Sequence, residues 1–315
     1  MFKNLGKFFL VKPEALAPEE IAFYKEFNFE NFIFFKVHFE KDFREYLEVL
    51  KCKLPFLKLL AVDQEGGRVI RIPGDFEAPF EIAQKCEKEG KEILTLWAKK
   101  IAQSVKDHCL NLNLSPVVDL DDDKAEDFLR KRTFGKDPRK VTAMAEKFID
   151  IHKEMNIEVC LKHFPGLGGV KIDPHKELPI KENISQEDLY PFIKLSPKVN
   201  FIMTTHLLVP SIDSNVSTFS QTLVNKLRKD CDYKGVILTD DIAMGALKDY
   251  ELPERIIRSF ASGHNLIIYT GPKPELITAI FEIKGEIEKS PILKERLKES
   301  LTILENIVYR KVCLK

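Results

Sequence analysis

Eight short apolar segments alternate with longer charged segments along the chain, and this alternation constrains the fold more than any other feature of the sequence. Each apolar run is nearly continuous and rich in β-branched or aromatic residues, which is typical of strands buried on both faces of a parallel sheet. The predicted strands are residues 8–11, 31–37, 57–63, 112–118, 158–164, 200–206, 235–240 and 265–270.

The segments between these strands have the composition and spacing of amphipathic helices. A final helix is expected to begin with Ser290 as its N-cap and Pro291 in its first turn, and it carries apolar residues at helical spacing. One further helix is predicted to begin at Pro18. The other predicted helices cover about residues 40–52, 88–107, 138–155, 185–195, 218–230 and 252–262.

Eight strands that alternate with helices over 315 residues favour an α/β fold, a single (β/α)8 barrel of the TIM type with a C-terminal helix. We expect one catalytic domain from residue 1 to residue 315, because no linker or low-complexity segment divides the chain. A doubly wound sheet is the structural alternative. The GxGxxG motif that such sheets use for nucleotides does not follow the early strands.

The charge composition excludes several classes of partner. The 49 basic residues balance the 49 acidic ones, so the sequence has no excess of positive charge to bind nucleic acid or an anionic membrane. The apolar run at residues 8–11 is too short for a signal-peptide core, and no run approaches the roughly 18 apolar residues of a membrane span. We therefore expect a soluble cytoplasmic monomer.

Six cysteines are scattered without a CxxC pair, at positions 52, 86, 109, 160, 231 and 313. In a chain of this length such a pattern does not indicate a disulfide framework. We expect free thiols, which agrees with a reducing compartment.

Polar residues collect where the predicted strands end. Active sites of (β/α)8 barrels lie at the C-terminal ends of the strands. A charged side chain beside a buried strand destabilises the fold unless it forms an ion pair or serves a binding or catalytic function. The sequence therefore predicts a shared polar pocket to which five strands contribute. The strand-end residues are Asp63, Asp119, Lys162, His163, His206, Asp240 and Asp241.

The glycine-rich segment at residues 162–175 ends in the tripeptide Asp173-Pro174-His175. In an extended tripeptide the aspartate and the histidine share a side, so the carboxylate can orient the imidazole and stabilise its protonated form. A histidine tuned in this way is suited to donate and accept protons. The tripeptide alone favours the alternative, in which Asp173 caps a turn beside a solvated His175.

Asp240 and Asp241 form an adjacent pair of carboxylates at the end of the seventh strand. Successive strand residues point to opposite faces, so we expect one of them in the pocket and the other at the start of a helix near Ile242. Periodicity does not decide between them. A pocket carboxylate with a separate proton donor can cleave a glycosidic bond through a covalent intermediate, and it can also form part of a metal site.

Five stretches of the chain together resemble the motifs of glycoside hydrolase family 3. They are VDQEGGRVIR at 62–71, RTFG at 132–135, the segment 162–175, HLLVPSID at 206–213 and TDDIAM at 239–244. Within the family the chain is most similar to the bacterial single-domain β-N-acetylhexosaminidases of cell-wall recycling, over about residues 8–270.

This resemblance implies roles for eight residues. Asp240 is the expected nucleophile, and His175 is the expected general acid and base, held by Asp173. The resemblance implies no metal and no cofactor. It implies that the protein acts on a small carbohydrate substrate. The residues expected to bind a terminal N-acetylglucosamine are Asp63, Arg71, Arg132, Lys162 and His163.

The chain departs from the family pattern at two positions in the 162–175 segment. Leu167 stands where the family usually has a second histidine, and Pro174 stands where it usually has a serine. The leucine removes a polar contact, and the proline stiffens the segment that carries Asp173 and His175. Neither change removes a catalytic group, so activity is still expected.

The leading hypothesis is a retaining exo-β-N-acetylglucosaminidase that releases the non-reducing terminal sugar of muropeptide-type disaccharides through a covalent glycosyl-aspartate. Phosphorolysis is a related variant, because a neutral histidine does not repel an incoming phosphate. A catalytically silent sugar-binding barrel is a second class. A third is a metal-dependent barrel hydrolase that uses His163, His175, His206 and Asp240.

Overall fold

The first strand of the sheet pairs with the last, and this pairing closes a barrel of eight parallel strands. The computed structural model describes residues 2–121 and 128–309. Each strand pairs with its neighbours in chain order, which confirms the predicted (β/α)8 barrel and excludes the doubly wound sheet. The strands are β1 (Phe9–Val11), β2 (Asn31–Phe34), β3 (Leu59–Val62), β4 (Leu112–Asn113), β5 (Glu158–Phe164), β6 (Phe201–Thr204), β7 (Val236–Asp241) and β8 (Leu266–Tyr269).

Helices follow every strand of the barrel. Within residues 2–121 and 128–309, two α-helices come after β3 and two after β8, whereas each of the other strands is followed by one α-helix. They are α1 (Pro18–Glu26), α2 (Phe43–Lys53), α3 (Pro79–Glu89), α4 (Glu92–Asp107), α5 (Pro138–Glu154), α6 (Gln186–Leu195), α7 (Gln221–Asp230), α8 (Leu252–Ser262), α9 (Lys273–Lys289) and α10 (Pro291–Leu304).

Several elements differ from the sequence prediction. The helix predicted over 88–107 is found as α4, which begins only at Glu92, whereas the preceding helix α3, which ends before Gly90, was not predicted. The helix α9 was not predicted, although its residues Leu276, Ile280 and Ile283 are buried at helical spacing. The strand predicted over 112–118 is regular only in β4, and Val117 still pairs with Lys162 in an isolated parallel bridge beyond it.

The strands are buried along almost their whole length, as their continuous apolar sequences predict. In the C-terminal helix α10, Leu293, Leu297 and Leu304 are buried against the barrel as expected. A separate apolar cluster lies among the loops that follow β4, β5 and β6, and we call it the loop cluster. Its buried members are Val117, Phe128, Leu129, Leu167, Val170, Leu207 and Val209.

Five of the six cysteines fall within the described residues, and all five are free thiols, as predicted. Cys160 and Cys231 are buried, whereas Cys52 and Cys109 are exposed. Cys313 lies outside the described residues. In residues 2–121 and 128–309, none of the helices combines the length and the apolar character needed to cross a membrane.

Candidate active site

A cavity of about 470 Å³ opens at the C-terminal end of the barrel strands. Its walls are formed by strand ends and by the loops that follow them, as the sequence predicted for a polar pocket in this fold. The structure brings all eight predicted site residues to this cavity: Asp63, Arg71, Arg132, Lys162, His163, Asp173, His175 and Asp240.

One wall of the cavity is a buried network of four charged side chains, Asp63, Glu65, Arg132 and Lys162, which we call the ion cluster. Lys162 Nζ lies 2.8 Å from Asp63 Oδ1 and 2.6 Å from Glu65 Oε1. Arg132 donates from Nε and Nη2 to the two Glu65 oxygens, each at 2.8 Å. The Glu65 and Lys162 side chains are only 1% and 3% exposed, so these ion pairs are shielded from water.

Three members of the ion cluster, Glu65, Arg132 and Lys162, are charged at neutral pH. Burial by itself favours the neutral form of Glu65, but the positive charges of Arg132 and Lys162 outweigh it and lower the pKa of this carboxyl well below its usual range. Burial likewise opposes the charge of Lys162, whereas Asp63 and Glu65 raise the pKa of the Lys162 ammonium.

Glu65 was not predicted as a site residue. A signal for it was present in the sequence, because Asp63 and Glu65 are two positions apart and in extended backbone share a side. Both contact Lys162, and Glu65 forms the more deeply buried pair.

Arg71 reaches the cavity from the loop after β3. Its backbone N–H donates to Gln64 Oε1 at 2.9 Å, and its Nη2 lies 3.8 Å from Asp63 Oδ2. The guanidinium stands 5.3 Å from the centre of the Phe35 ring. Arg71 Nε is buried and has no hydrogen-bond partner among the described residues, so it can donate to an oxygen of a bound molecule.

His163 is held by an aspartate that lies behind the cavity wall. His163 Nδ1 donates to Asp119 Oδ2 at 2.7 Å, and the Leu167 N–H donates to Asp119 Oδ1 at 2.7 Å. A carboxylate acceptor requires the proton on Nδ1, which leaves Nε2 as the second ring nitrogen for a ligand. The prediction that Asp119 contributes to the pocket is wrong, because its buried carboxylate positions two neighbours and does not line the cavity.

The prediction that His206 shares the pocket is also wrong. Its Nε2 donates to the Asp241 carbonyl at 2.8 Å, and its Nδ1 accepts from the Thr218 hydroxyl at 2.6 Å. Burial lowers the pKa of His206, against the charge of Asp240, so the ring is neutral. The proposed metal set that included His206 is not assembled, and across the described ranges no three or more His, Cys, Asp and Glu side chains are grouped to hold a metal ion.

The two adjacent carboxylates at the end of β7 have different surroundings. Asp241 Oδ1 accepts from the Ala243 N–H at 3.0 Å and from the Thr270 N–H at 3.1 Å, and its other oxygen accepts from the Thr270 hydroxyl. Asp241 therefore caps a turn. The expected helix near Ile242 is not there, since a 3₁₀ helix at Gly245–Leu247 comes next and α8 begins only at Leu252.

Asp240 keeps a carboxylate that is free of side-chain donors. Its Oδ1 accepts from the adjacent Asp241 N–H at 2.8 Å, and within the described chain no side chain donates a hydrogen bond to it. Burial opposes its charge, but the nearby imidazoles, that of His163 first, and the Asp241 N–H lower the pKa of Asp240. Burial raises the pKa of Asp241 in spite of the hydrogen bond from Thr270. Both residues line the cavity, and of the two, Asp240 is the carboxylate to which no described side chain donates a hydrogen bond.

Asp173 and His175 form a hydrogen-bonded pair at the rim of the cavity. Asp173 Oδ1 accepts from the imidazole Nδ1 at 2.8 Å and from the backbone N–H of His175 at 3.0 Å. The side chain thus orients the ring and caps a turn, so the two alternatives left open by the tripeptide coexist. Burial opposes the charge of Asp173, and the two donors of His175 lower the pKa of the carboxyl.

Leu167 lies in the loop cluster and also lines the cavity. Its side chain is 2% exposed and packs where the family pattern has a polar histidine. The loop around it is tied down by Lys181, whose Nζ donates to Gly168 O at 2.9 Å and pairs with Asp188 at 2.9 Å. The start of the segment 162–175 is therefore held by apolar packing and a partly buried ion pair.

Known proteins share these motifs and this fold. A family model described as the glycosyl hydrolase family 3 N-terminal domain matches residues 36–307. A β-hexosaminidase of Photobacterium profundum is 33% identical over 230 residues, 70% of this chain and 68% of that protein. A β-hexosaminidase of Tolumonas auensis is 32% identical over 220 residues, 67% of this chain and 65% of that protein. The chain thus spans just under two thirds of the length of this second relative.

Among solved structures, the chain is similar to the crystal structure of NagZ from Neisseria gonorrhoeae in complex with N-trifluoroacetyl-D-glucosamine. The two sequences are 26% identical, and the TM-score is 0.77. The match covers 93% of this chain and 89% of the NagZ chain.

Proposed function

We propose that this chain, which belongs to glycosyl hydrolase family 3, is a retaining exo-β-N-acetylglucosaminidase. The observation that carries the proposal is the pairing of two features at one cavity. Asp240 offers an ionised carboxylate that accepts from no side chain of the described residues, and the Asp173–His175 pair offers an oriented imidazole. These are the nucleophile and the proton donor that retaining cleavage of a glycosidic bond requires.

In the first step, an Asp240 oxygen attacks the anomeric carbon while the bond from that carbon to the departing oxygen breaks. His175 donates the proton on Nε2 to the departing oxygen, and Asp173 stabilises the imidazolium before transfer through its 2.8 Å contact to Nδ1. The product of this step is a glycosyl ester on Asp240 and a free alcohol.

In the second step, the neutral His175 accepts a proton from water through Nε2. The resulting hydroxide attacks the anomeric carbon from the face that the alcohol left, and Asp240 departs as a carboxylate. Two inversions restore the β configuration, so the released sugar is initially the β anomer.

The other predicted residues suit a non-reducing terminal sugar. Asp63 is 15% exposed and can accept from two hydroxyls, while the Arg71 Nε–H has no hydrogen-bond partner within the described residues. The volume of about 470 Å³ lies within the roughly 300–1,000 Å³ typical of small-molecule sites. The names of the β-hexosaminidase relatives and the sugar bound to NagZ support N-acetylglucosamine as that terminal unit.

The finer substrate in this proposal is a disaccharide of the muropeptide type, with N-acetylglucosamine at its non-reducing end and N-acetylmuramic acid as the leaving group. Its support is the resemblance of the motifs to the cell-wall-recycling members of the family. A cytoplasmic monomer remains a prediction from the sequence, and it fits a small soluble disaccharide.

The test is to assay aryl β-glycosides of N-acetylglucosamine, N-acetylgalactosamine and glucose side by side, with Asp240→Asn as the blank. We expect the N-acetylglucosaminide to be cleaved fastest, and proton NMR of early product to show the β anomer. The α anomer as the first product would contradict the covalent mechanism. Sugar 1-phosphate formed when phosphate is added would identify the phosphorolytic variant.

Three further measurements address the remaining alternatives and the finer substrate. Binding of N-acetylglucosamine without turnover of any aryl glycoside would indicate a silent sugar-binding barrel. Turnover that disappears after exhaustive chelation and returns with a divalent metal would indicate the metal-dependent class. A higher kcat/KM for a disaccharide of N-acetylglucosamine and N-acetylmuramic acid than for chitobiose would support the muropeptide substrate.

A further inference from the structure

Two backbone hydrogen bonds join the loop that carries Asp173 and His175 to the segment that follows β7. The Gly245 N–H donates to the His175 carbonyl at 3.1 Å, and the Ala246 N–H donates to the Pro174 carbonyl at 3.0 Å. Gly245 begins the 3₁₀ helix that comes shortly after Asp240. The strand that presents the proposed nucleophile is therefore followed closely by the segment that contacts the loop with Asp173 and His175, which we call the dyad loop.

The close approach of these two segments depends on the absence of a side chain at Gly245. A Cβ atom at this position would lie 2.5 Å from Lys176 O and 2.6 Å from His175 O, distances that real Cβ atoms essentially never show. Both neighbours are backbone atoms, so they can move away only if the loop itself moves. Gly245 is not among the residues with positive φ, so alanine suits its backbone and the clash is the main effect of the substitution.

The dyad stretch, residues 171–178, is held by this contact, and the next anchor follows at once at Pro179, whose carbonyl accepts from the Leu208 N–H at 3.0 Å. Within the described part of the chain, no other backbone–backbone hydrogen bond joins the stretch to the rest of the barrel. The remaining ones are internal, since the Lys176 and Glu177 N–H groups donate to Asp173 O at 2.9 and 3.2 Å. The His175 side chain is 65% exposed and is bound by Asp173, which is on the same stretch.

We propose that Gly245 is a positioning residue that sets the distance between His175 and Asp240. This inference rests on the proposed function, because it concerns the acid–base role of His175. The glycine lets the dyad loop lie directly on the segment after β7. The His175 imidazole and the Asp240 carboxylate are therefore held by two segments in contact, and both can reach the same sugar. A displacement of about 1 Å in a reacting group can cost roughly 10²-fold in rate.

The experiment compares Gly245→Ala with Gly285→Ala as a matched control. Gly285 is in α9, and a Cβ added there meets nothing within 4 Å. The measured quantity is kcat/KM, which reports the glycosylation step, for two N-acetylglucosaminides: one with an activated aryl leaving group and one with a sugar leaving group. For Gly245→Ala we expect a loss of roughly 10²-fold with the sugar leaving group, and at least about tenfold less loss with the aryl group.

This pattern separates displacement of His175 from damage to Asp240. An aryl group that leaves readily needs little protonation, whereas both substrates need the nucleophile. Equal losses for the two substrates, or losses no larger than those of Gly285→Ala, would overturn the inference. Absence of turnover in the wild-type chain would instead overturn the proposed function.

A double mutant gives an independent readout. If Gly245 acts through His175, then Gly245→Ala should change kcat/KM little when His175 is already alanine. A full additional loss in the His175→Ala background would contradict the positioning role. Amide hydrogen exchange tests the contact without a mutation, in wild-type protein with selectively ¹⁵N-labelled glycine and alanine. We expect slow exchange of the Gly245 and Ala246 amides. Exchange at the rate of an unstructured peptide would overturn the inference.

Discussion

Replacing Glu65 by glutamine tests whether the buried ion cluster maintains the stability of the barrel and the placement of two proposed sugar-binding cations. The substitution keeps the size and one acceptor oxygen of the side chain. It removes a negative charge and places an NH₂ donor opposite the donors of Arg132 or Lys162. Both cations are then left with too little compensating charge in a shielded environment.

The structure sets the expected magnitude. Removing one partner of a buried ion pair costs about 3–5 kcal/mol of unfolding free energy, because the other charge stays buried. Glu65 contacts two cations, but Asp63 still lies 2.8 Å from Lys162 after the change. Asp63 is 15% exposed and compensates part of the loss. We therefore expect the lower end of the range, about 3 kcal/mol.

The assay is urea unfolding followed by circular dichroism, with Glu299→Gln as the matched control. Glu299 pairs with Arg296 at 3.0 Å on the surface, and the two side chains are 52% and 29% exposed. An exposed pair of this kind contributes roughly 0–1 kcal/mol. If Glu65→Gln and Glu299→Gln lower the free energy of unfolding equally, the reasoning about burial is refuted.

The pH dependence provides a second check on the same variant. The folded-state pKa of Glu65 lies below its ordinary value of 4.5, so its stabilising contribution is fully present above about pH 4.5 and is lost as the pH falls further. The difference between wild type and Glu65→Gln should be constant from pH 5 upward, and it should shrink by about 1.4 kcal/mol for each pH unit below 4.5. A difference that does not change down to pH 3 would contradict the assignment.

Two further predictions concern the chemistry. His175→Ala should lower kcat/KM for disaccharides by about 10²–10⁴-fold and affect activated aryl glycosides far less, and steady-state kinetics with equal losses would contradict the acid role. Asp240→Asn should reduce kcat by at least about 10⁴-fold. Asp241→Asn should lose no more than about 10²-fold, because an amide oxygen can still accept from Ala243 and Thr270. A reversed order, measured with one aryl substrate, would exchange the roles of the two aspartates.

Much of the site could be predicted because the relevant signals are local. A parallel barrel places the C-terminal ends of all its strands at one rim, so the residues that end β3, β5 and β7 had to lie near one another. Asp63, Lys162 and Asp240 are such residues, and all three line the cavity. The motifs supplied the expected roles, which periodicity alone did not.

The mistaken assignments share a physical cause. Asp119 and His206 lie at the ends of the strands predicted over 112–118 and 200–206, but the side chain of each is hydrogen-bonded to other protein groups and does not line the cavity. Strand periodicity gives the side on which a residue lies, and it does not say whether a neighbour from another strand already occupies its hydrogen-bonding groups. The same limit hid Glu65, whose partner Arg132 is 67 positions away.

The amino-acid sequence by itself determined the barrel, the order of its strands and the residue types available at its rim, because apolar periodicity and turn chemistry act over a few neighbouring residues. Only the tertiary structure decided which carboxylate stays free and which caps a turn. It also decided that a glycine supports the dyad loop, since that contact joins residues from the loops after β5 and β7. Contacts of this kind depend on distances of a few tenths of an ångström between segments remote in sequence, and no local pattern encodes them.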